Sequence, residues 1–340
     1  MKAISKRPVG RPLAALTPFA VVGLWLFFSA SVFAADKPSA RDLLERMTRA
    51  VRAENYVGVF VYRYGSNLEA MRIVHRADGD GERERLFSLN GAAREIIRDD
   101  ARVTCILPDN HSVVVDSRQT RNPLNRVLPG DLEEMSRVYD LSVMGTGRVA
   151  GRKVYLVSVA PKDSFRYGYR LSIDSDTGLL LRSDLLDGSG NAVEQVMFTD
   201  LSTPEKIPDA WLESTVPGDE YTWYRNDAKG QPETERASGW NIEGVPDGFR
   251  LVLNEKRPMP GSEGPVEHRL YSDGLASVSV YIERKDDHEA FTGSSRMGAV
   301  NAFGRVVSGY QTVVVGEVPA ATVRRIGQSI ARSAGDGDGG

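Results

Sequence analysis

Hydrophobic and polar residues alternate with a period of two over much of the chain, most clearly at positions 166–201. The apolar positions of the first run are Tyr167, Tyr169, Leu171 and Ile173. Such alternation is typical of a strand with one apolar and one polar face. Turns rich in Asp, Ser and Gly at 174–178 and 187–190 separate this run from two others, at 179–186 and 193–201. The pattern predicts a three-stranded antiparallel meander, which builds a curved sheet.

One helix is predicted before the strands. Ser39 and Asp42 have the spacing of a capping box. The apolar residues at helical spacing after it are Leu43, Leu44, Met47, Ala50 and Val51. From Tyr56 to Tyr64 the period changes to two with apolar residues on both faces, so both faces of this strand are expected to be covered.

Seven further short strands are predicted in the first half of the chain. They lie at 70–75, 85–89, 94–97, 103–107, 112–116, 139–144 and 149–159. Together with the strand at 56–64 and the meander they make about eleven strands. Many short strands at regular spacing favour a large antiparallel sheet, closed or half closed.

The composition changes after Leu212. Positions 215–236 are rich in Pro, Gly and charged residues, as is typical of a linker, and only Tyr221, Trp223 and Tyr224 are large and apolar. We expect these three rings to pack against a neighbouring domain. A second domain begins near Trp240, with strands predicted at 249–253, 267–271, 275–282, 298–303 and 310–317. Pro319 is predicted to open a closing helix, with Val323, Ile326 and Ile330 on one face. The predicted fold class is α+β, an antiparallel half-barrel with helices followed by a smaller α/β domain.

The length of 340 residues and the 41% of hydrophobic residues allow two domains with separate cores. Four N-terminal cations precede an acid-free apolar run at 13–28 and a small-residue stretch ending at Ala34. This order predicts a signal peptide over 1–34 and export to the periplasm, and a retained anchor is the alternative. The remaining predicted boundaries are 35–214 for the first domain, 215–239 for the linker, 240–332 for the second domain and 333–340 for a disordered tail.

Net charge and cysteine content disfavour a nucleic-acid-binding protein, a disulfide-bonded protein and a lipid-anchored protein. Removal of the four cations changes the formal net charge from −3 to −7, and an acidic chain disfavours nucleic-acid binding. Cys105 is the only cysteine, so the exported chain has no internal disulfide. The residue directly after the predicted cleavage point is Ala35 and not a cysteine, so we expect no lipid anchor there and a soluble mature protein.

No catalytic or metal-binding constellation is recognisable. The four histidines lie in separate segments without a short-spaced partner, which disfavours a zinc site. Nucleophile-elbow, P-loop and dinucleotide-binding motifs are absent from the sequence. Cys105 lies in an apolar alternation typical of an inert core thiol. We therefore expect a binding protein rather than an enzyme, with no cofactor and no metal.

Two groups of segments carry a family resemblance. In the first half they are 149–152, 164–174 (SFRYGYRLSID) and 177–184 (TGLLLRSD); in the second they are 271–283 (YSDGLASVSVYIE), 298–302 and 314–319. This set resembles the RseB/MucB family of periplasmic regulators of an envelope-stress sigma factor, over nearly the whole predicted mature chain.

The resemblance implies both a fold and a partner. It implies a half-barrel like that of the lipoprotein carriers LolA and LolB. It also implies binding to the periplasmic part of a membrane anti-sigma factor of the RseA/MucA type, which shields that factor from a site-1 protease. The resemblance further implies that binding of lipid or lipopolysaccharide dissociates the complex with the anti-sigma factor. Exopolysaccharide production would be among the processes that the protein regulates.

A lipid-holding half-barrel needs an apolar concave face. The candidates are Tyr62, Ile73, Tyr167, Tyr169, Leu171, Leu181, Val196 and Phe198. Ordinary core packing is the alternative for each of them. A loop at 117–130 adds Arg118, Arg121 and Arg126, which suit anionic headgroups, although a solvated loop has the same composition.

For the partner we predict contact at the turn and strand over 271–283. The candidate residues are Tyr271, Ser272, Asp273, Gly274 and Leu275. A turn beside a long apolar strand would give a sheet edge able to accept an extended peptide, and simple closure of a hairpin is the alternative. A LolA-type lipoprotein carrier is the rival function, and an enzyme acting on envelope polymers is a third. The sequence leaves the oligomeric state open, including a homo-oligomer.

Overall fold

The computed structural model describes residues 37–79, 81–116, 131–214, 221–226, 239–259, 262, 264–285 and 289–333. The predicted signal peptide, the arginine-rich loop and nearly all of the predicted tail lie outside these residues. No helix in the described part of the chain has the length and apolar character needed to span a bilayer.

The first domain is built on one twelve-stranded sheet. Its strands are β1 (Tyr56–Tyr64), β2 (Asn67–Asp78), β3 (Gly81–Ser88), β4 (Glu95–Arg98), β5 (Val103–Leu107), β6 (Ser112–Asp116), β7 (Tyr139–Val149), β8 (Arg152–Pro161), β9 (Gly168–Asp174), β10 (Leu180–Leu186), β11 (Ala192–Ser202) and β12 (Thr222–Asn226). Their order is β12-β6-β5-β4-β3-β2-β1-β11-β10-β9-β8-β7. The predicted meander is β9–β11, and β1 joins it to the preceding hairpins by pairing with β11.

Two features of this sheet differ from the sequence-based prediction. The run predicted as one strand over 149–159 is broken after Val149, because Ala150 and Gly151 adopt positive φ angles of 46° and 75° and form a hairpin turn. Part of the predicted linker forms β12, which pairs in parallel with β6. The Trp223 and Tyr224 side chains on β12 are about half exposed, at 47% and 57%.

Helix α1 (Ala40–Ala53) covers the concave face of the sheet. Its predicted capping box forms, with the Ser39 hydroxyl accepting from the Asp42 N–H and the Asp42 carboxylate accepting from the Ser39 N–H. The buried face of the helix consists of Ala40, Leu43, Leu44, Met47, Ala50 and Val51. These side chains pack into a single core with the inward side chains of the sheet.

Other segments cover the ends of the sheet. The opposite face of β1 and β2 is covered at one end, where Val57 and Val74 pack against Ile207 and Leu212. A short helix that was not predicted, α2 (Leu132–Val138), begins at Asp131, whose carboxylate accepts from the N–H groups of Glu133 and Glu134.

The second domain contains two sheets and a helix. Its elements are β13 (Trp240–Ile242), β14 (Arg250–Pro258), β15 (Pro265–Ser272), β16 (Ser277–Arg284), β17 (Gly293–Met297), β18 (Val300–Val307), β19 (Tyr310–Gly316), α3 (Ala320–Ser329) and β20 (Ile330–Arg332). The larger sheet has the order β14-β15-β16-β19-β18-β17, and β13 pairs with β20.

Helix α3 packs its Val323 and Ile326 side chains against Val278, Val280 and Val314 of the larger sheet. Pro319, predicted to open the helix, lies one residue before it as its N-cap, and Ile330, predicted on its apolar face, begins β20. The unpredicted strand β17 has the sequence GSSRM and is exposed throughout, so it carries no apolar alternation. The α+β class predicted from the sequence is confirmed.

We predict that Met47→Ala lowers the free energy of unfolding by about 2–5 kcal/mol, because Met47 is fully buried between α1 and the sheet. Urea denaturation followed by circular dichroism measures the change. Arg49→Ala on the exposed face of the same helix is the control, expected within about 0.5 kcal/mol of the parent. Equal stability of the two variants would show that α1 does not seal the core.

Candidate functional site at the domain contact

The predicted lipid-binding residues lie in the core of the first domain. Ile73, Leu171 and Leu181 have no exposed surface. Tyr167, Tyr169, Val196 and Phe198 are buried, and Tyr62 is half-buried against the same cluster. The structure therefore brings all eight apolar candidates together in one cluster. The three arginine candidates, Arg118, Arg121 and Arg126, lie outside the described residues.

Helix α1 leaves little space beside these residues. A cavity lined by Val51, Tyr56, Leu179, Leu180, Phe198 and Leu201 has a volume of about 10 Å³. That volume is at the limit for a single water molecule. An alkyl chain could enter here only if α1 or another part of the cover moved.

The second domain supplies the other part of the cover. Its turns 273–276 and 297–299 reach the first domain, and Leu275 and Ala299 are buried members of the first-domain core cluster. The two domains thus share one apolar core at this contact.

An ion pair between Arg166 and Asp273 holds the first of these turns. The Arg166 Nη1 donates to Asp273 Oδ2 over 2.7 Å, and neither side chain has any exposed surface. The same guanidinium donates to the Asp247 carbonyl at 2.6 Å and pairs with Asp163 at 3.0 Å. Phe249 of the second domain stacks on it, 4.9 Å from ring centroid to Cζ. A buried charge needs such partners, because its desolvation is costly.

Asp273 also organises its own turn. Its Oδ1 accepts from the N–H groups of Leu275 at 2.9 Å and Ala276 at 2.7 Å, while Oδ2 accepts from the Tyr139 hydroxyl at 3.1 Å. Burial and the neighbouring Asp273 carboxylate raise the pKa of Tyr139 well above its ordinary value, so the hydroxyl keeps its proton and donates it. One carboxylate therefore shapes the turn and ties it to the first domain.

The second turn is held by Glu194 and Asn301. The Glu194 carboxylate accepts from the Ala299 N–H at 3.2 Å and from the Tyr62 hydroxyl at 2.8 Å. The Asn301 amide donates to the Tyr167 hydroxyl at 3.1 Å and to the Val318 carbonyl at 2.8 Å. Two of the predicted lipid-binding tyrosines are thus linked to the second domain through their hydroxyl groups.

The predicted partner-binding residues occupy an inward position. Tyr271 is in the second-domain core, Asp273 and Leu275 face the first domain, and Ser272 and Gly274 are partly exposed beside them. The prediction of a sheet edge here is wrong, because β15 and β16 each pair on both sides and the edges of the described sheet are β14 and β17. A role for the five residues in partner binding stays a prediction.

The described residues show no group of three or more His, Cys, Asp or Glu side chains placed to hold a metal ion. Burial raises the pKa of the half-buried Cys105 thiol, which lowers its thiolate fraction.

Two family models cover most of the chain. The MucB/RseB N-terminal domain matches residues 39–216 and the MucB/RseB C-terminal domain matches residues 234–331. The chain belongs to the MucB/RseB family. The resemblance inferred from the sequence segments is therefore confirmed.

Relatives of this MucB/RseB chain are named as regulatory proteins of sigma factors. It is 34% identical over 311 residues to the sigma factor AlgU regulatory protein MucB of Pseudomonas aeruginosa, covering 88% of this chain and 93% of MucB. It is 27% identical to the sigma-E factor regulatory protein RseB of Haemophilus influenzae, over 92% of this chain and 97% of RseB. The solved complex of P. aeruginosa MucA and MucB matches with a TM-score of 0.69 and 33% identity, over 87% of this chain and 99% of the other.

Sequence reasoning missed the residues that join the domains of this family member. Arg166 was assigned to the polar face of a strand, yet it is 2% exposed because the second domain covers it. Tyr139, Glu194 and Asn301 carried no local signal. Their partners are 105 to 134 residues away along the chain, beyond the reach of any local pattern.

We predict that Asp273→Asn lowers the free energy of unfolding by about 3 kcal/mol, because it leaves the buried Arg166 charge without its carboxylate while keeping an oxygen for the turn. We also expect a larger radius of gyration in small-angle X-ray scattering. The control is Asp140→Asn, which affects an ion pair whose carboxylate side chain is 75% exposed. A variant as stable and compact as the control would contradict this account.

Proposed function

We propose that this protein is a periplasmic regulator of a sigma factor that acts by binding the periplasmic part of a membrane anti-sigma factor of the MucA/RseA type. The observation that carries the proposal is the match over both domains to MucB in a complex with MucA. Binding would shield the anti-sigma factor from a site-1 protease. No step in this role requires catalysis by the chain.

The binding experiment uses the chain from residue 35 onward and the purified periplasmic region of the anti-sigma factor from the same organism. We expect a saturable complex and slower cleavage of the anti-sigma factor by the site-1 protease. An equally acidic, unrelated periplasmic peptide is the control. Absence of binding, or cleavage at an unchanged rate within the complex, would exclude the proposed function.

We further propose that a lipid or the lipid part of lipopolysaccharide releases the partner by competing with the domain contact. Tyr167 accepts a hydrogen bond from Asn301 of the second domain, and Tyr62 is linked to that domain only through Glu194, which also accepts from the Ala299 N–H. Leu275 and Ala299 are buried in the first-domain core cluster. An acyl chain that reached the apolar cluster would therefore displace the turns that fix the second domain. The partner would then meet a different arrangement of the two domains.

The energy required for such a switch is small. A buried methylene contributes about 0.8 kcal/mol, so a lipid that buries four more methylenes in the released arrangement gains roughly 3 kcal/mol. At about 1.4 kcal/mol per factor of ten, this shifts the partner affinity by more than a hundredfold. A single acyl chain is long enough to supply this difference.

We predict that Asn301→Ala lowers the lipid concentration for half-release of the partner about tenfold, because it removes the hydrogen bond to the Tyr167 hydroxyl, worth about 1.4 kcal/mol, from the contact. Fluorescence anisotropy of a labelled anti-sigma fragment, titrated with a single-chain phospholipid and with lipopolysaccharide, measures the change. Asn241→Ala, which removes an exposed bond to Glu243, is the matched control. Identical titrations of the two variants would argue against competition at this contact.

A further inference from the structure

The contact between the two domains has two sides, which lie on different strands of the first domain. One is the segment 163–167 between β8 and β9, and the other consists of Tyr64 on β1 and Glu194 on β11. Tyr64, Glu194, Leu185 and Tyr169 are partners in one row across β1, β11, β10 and β9. Three strand spacings of about 4.8 Å therefore separate the two sides by roughly 14 Å along the sheet.

The segment 163–167 is bonded to several elements of the second domain. The Phe165 carbonyl accepts from the Thr322 hydroxyl of α3 at 2.7 Å. The Arg325 guanidinium of the same helix lies 4.8 Å from the centroid of the Phe165 ring. The neighbouring Arg166 is fully buried and carries the ion pair to Asp273. Separation of the domains here would leave a buried charge without its partner, which is costly.

The two domains also approach most closely beside this segment. Gly248 of the second domain has a φ angle of 86°, and a Cβ built on it would lie 2.6 Å from Val138 Cγ1 at the end of α2. Only glycine fits there without displacement of Val138. Val138 and the segment 163–167 together form what we call the Arg166 side of the contact.

The Glu194 side, formed by Tyr64 and Glu194, is held by uncharged donors. Glu194 accepts from the Ala299 N–H and the Tyr62 hydroxyl, and it forms no ion pair with any residue that the structure describes. A Cβ built on Gly298 would lie 3.3 Å from Glu194 Oε1, so the approach is looser than on the Arg166 side. Separation on the Glu194 side would hydrate a carboxylate that is 8% exposed, without leaving a buried cation behind.

We propose that an acyl chain enters the first-domain core on the Glu194 side, through a rotation of the second domain about the Arg166 side. The rotation parts the 297–299 turn from Glu194 and withdraws Ala299 from the core. Tyr62 and Val196, which are paired across β1 and β11, lie behind this turn in the core cluster. These apolar surfaces suit an alkyl chain. The inference rests on the proposed function, because it names the path by which a lipid reaches the domain contact.

The test closes each side in turn with a disulfide, in a Cys105→Ala background because Cys105 is the only cysteine. Y64C/G298C bridges the Glu194 side, where the two Cβ positions are 3.8 Å apart, as in ordinary disulfides. V138C/G248C bridges the Arg166 side and is the matched control, since each pair replaces one glycine of positive φ. The probe is a fluorescent single-chain phospholipid, and the reduced form of each variant is its reference.

We expect oxidised Y64C/G298C to bind the phospholipid at least about tenfold more weakly than its reduced form, because the lock removes the binding-competent arrangement. Oxidised V138C/G248C should bind within about twofold of its reduced form, because the rotation leaves that side in place. Equal binding by oxidised and reduced Y64C/G298C would overturn the proposal. An equal loss of binding in both oxidised variants would also overturn it.

Spin labels give a second measurement that does not depend on disulfide formation. In the same background, labels at S66C/S294C span the Glu194 side and labels at S164C/R324C span the Arg166 side, all at exposed positions. Double electron–electron resonance measures the two distances. Saturating phospholipid should lengthen the first distance and leave the second unchanged. An unchanged first distance in a chain that has bound the phospholipid would contradict the proposed path.

The two proposals fail in different ways. If the parent binds the phospholipid and the lock on the Glu194 side has no effect, the entry path is wrong and the proposed function stands. If the locks behave as expected but the anti-sigma region does not bind the parent, the entry path stands and the proposed function is wrong. Absence of phospholipid binding by the parent would overturn the entry path together with the proposed release by lipid.

Discussion

The buried pairing of Arg166 with Asp273 is the constraint on which the arrangement of the two domains depends. A guanidinium without exposed surface is stable only where carboxylates, carbonyls and aromatic faces replace its water, and the first domain alone supplies Asp163 and Tyr139 for this purpose. The second domain supplies Asp273, the Asp247 carbonyl and Phe249. Separating the domains would expose the Arg166 guanidinium to water or leave it buried without Asp273. The ion pair therefore favours one arrangement of the two domains over other arrangements.

This constraint explains why the mouth of the half-barrel is covered. A curved sheet with an apolar concave face needs a cover, and here it has two: α1 along the sheet, and the turns that carry Leu275 and Ala299 at the mouth. The helix is held by its own broad apolar face. The turns present only two apolar side chains and depend on Asp273, Glu194 and Asn301 for their position, so they are the part of the cover with fewer apolar contacts.

The second domain therefore has two different ends. The end at the β15–β16 turn is bonded to the first domain through Asp273, whereas the opposite end opens into a cleft that Trp240, Tyr310 and Arg332 line in part. The strands of the larger sheet run from one end to the other.

The sequence by itself determined the elements whose stability is local. The capping box and apolar stripe of α1, the strands of the meander and the family segments all follow from residue types at short spacing, and the structure bears them out. Elements without an apolar period were missed, as β17 and α2 show, and the Ala150 turn was missed because alanine rarely adopts positive φ. Only the tertiary structure decided that Arg166 is buried, that Asp273 serves the domain contact and that β15 and β16 are not edges. Each of these depends on residues distant in the chain that folding brings together. A hydrophobic period of two or of 3.6 residues contains no information about which distant residue will pack over a given position.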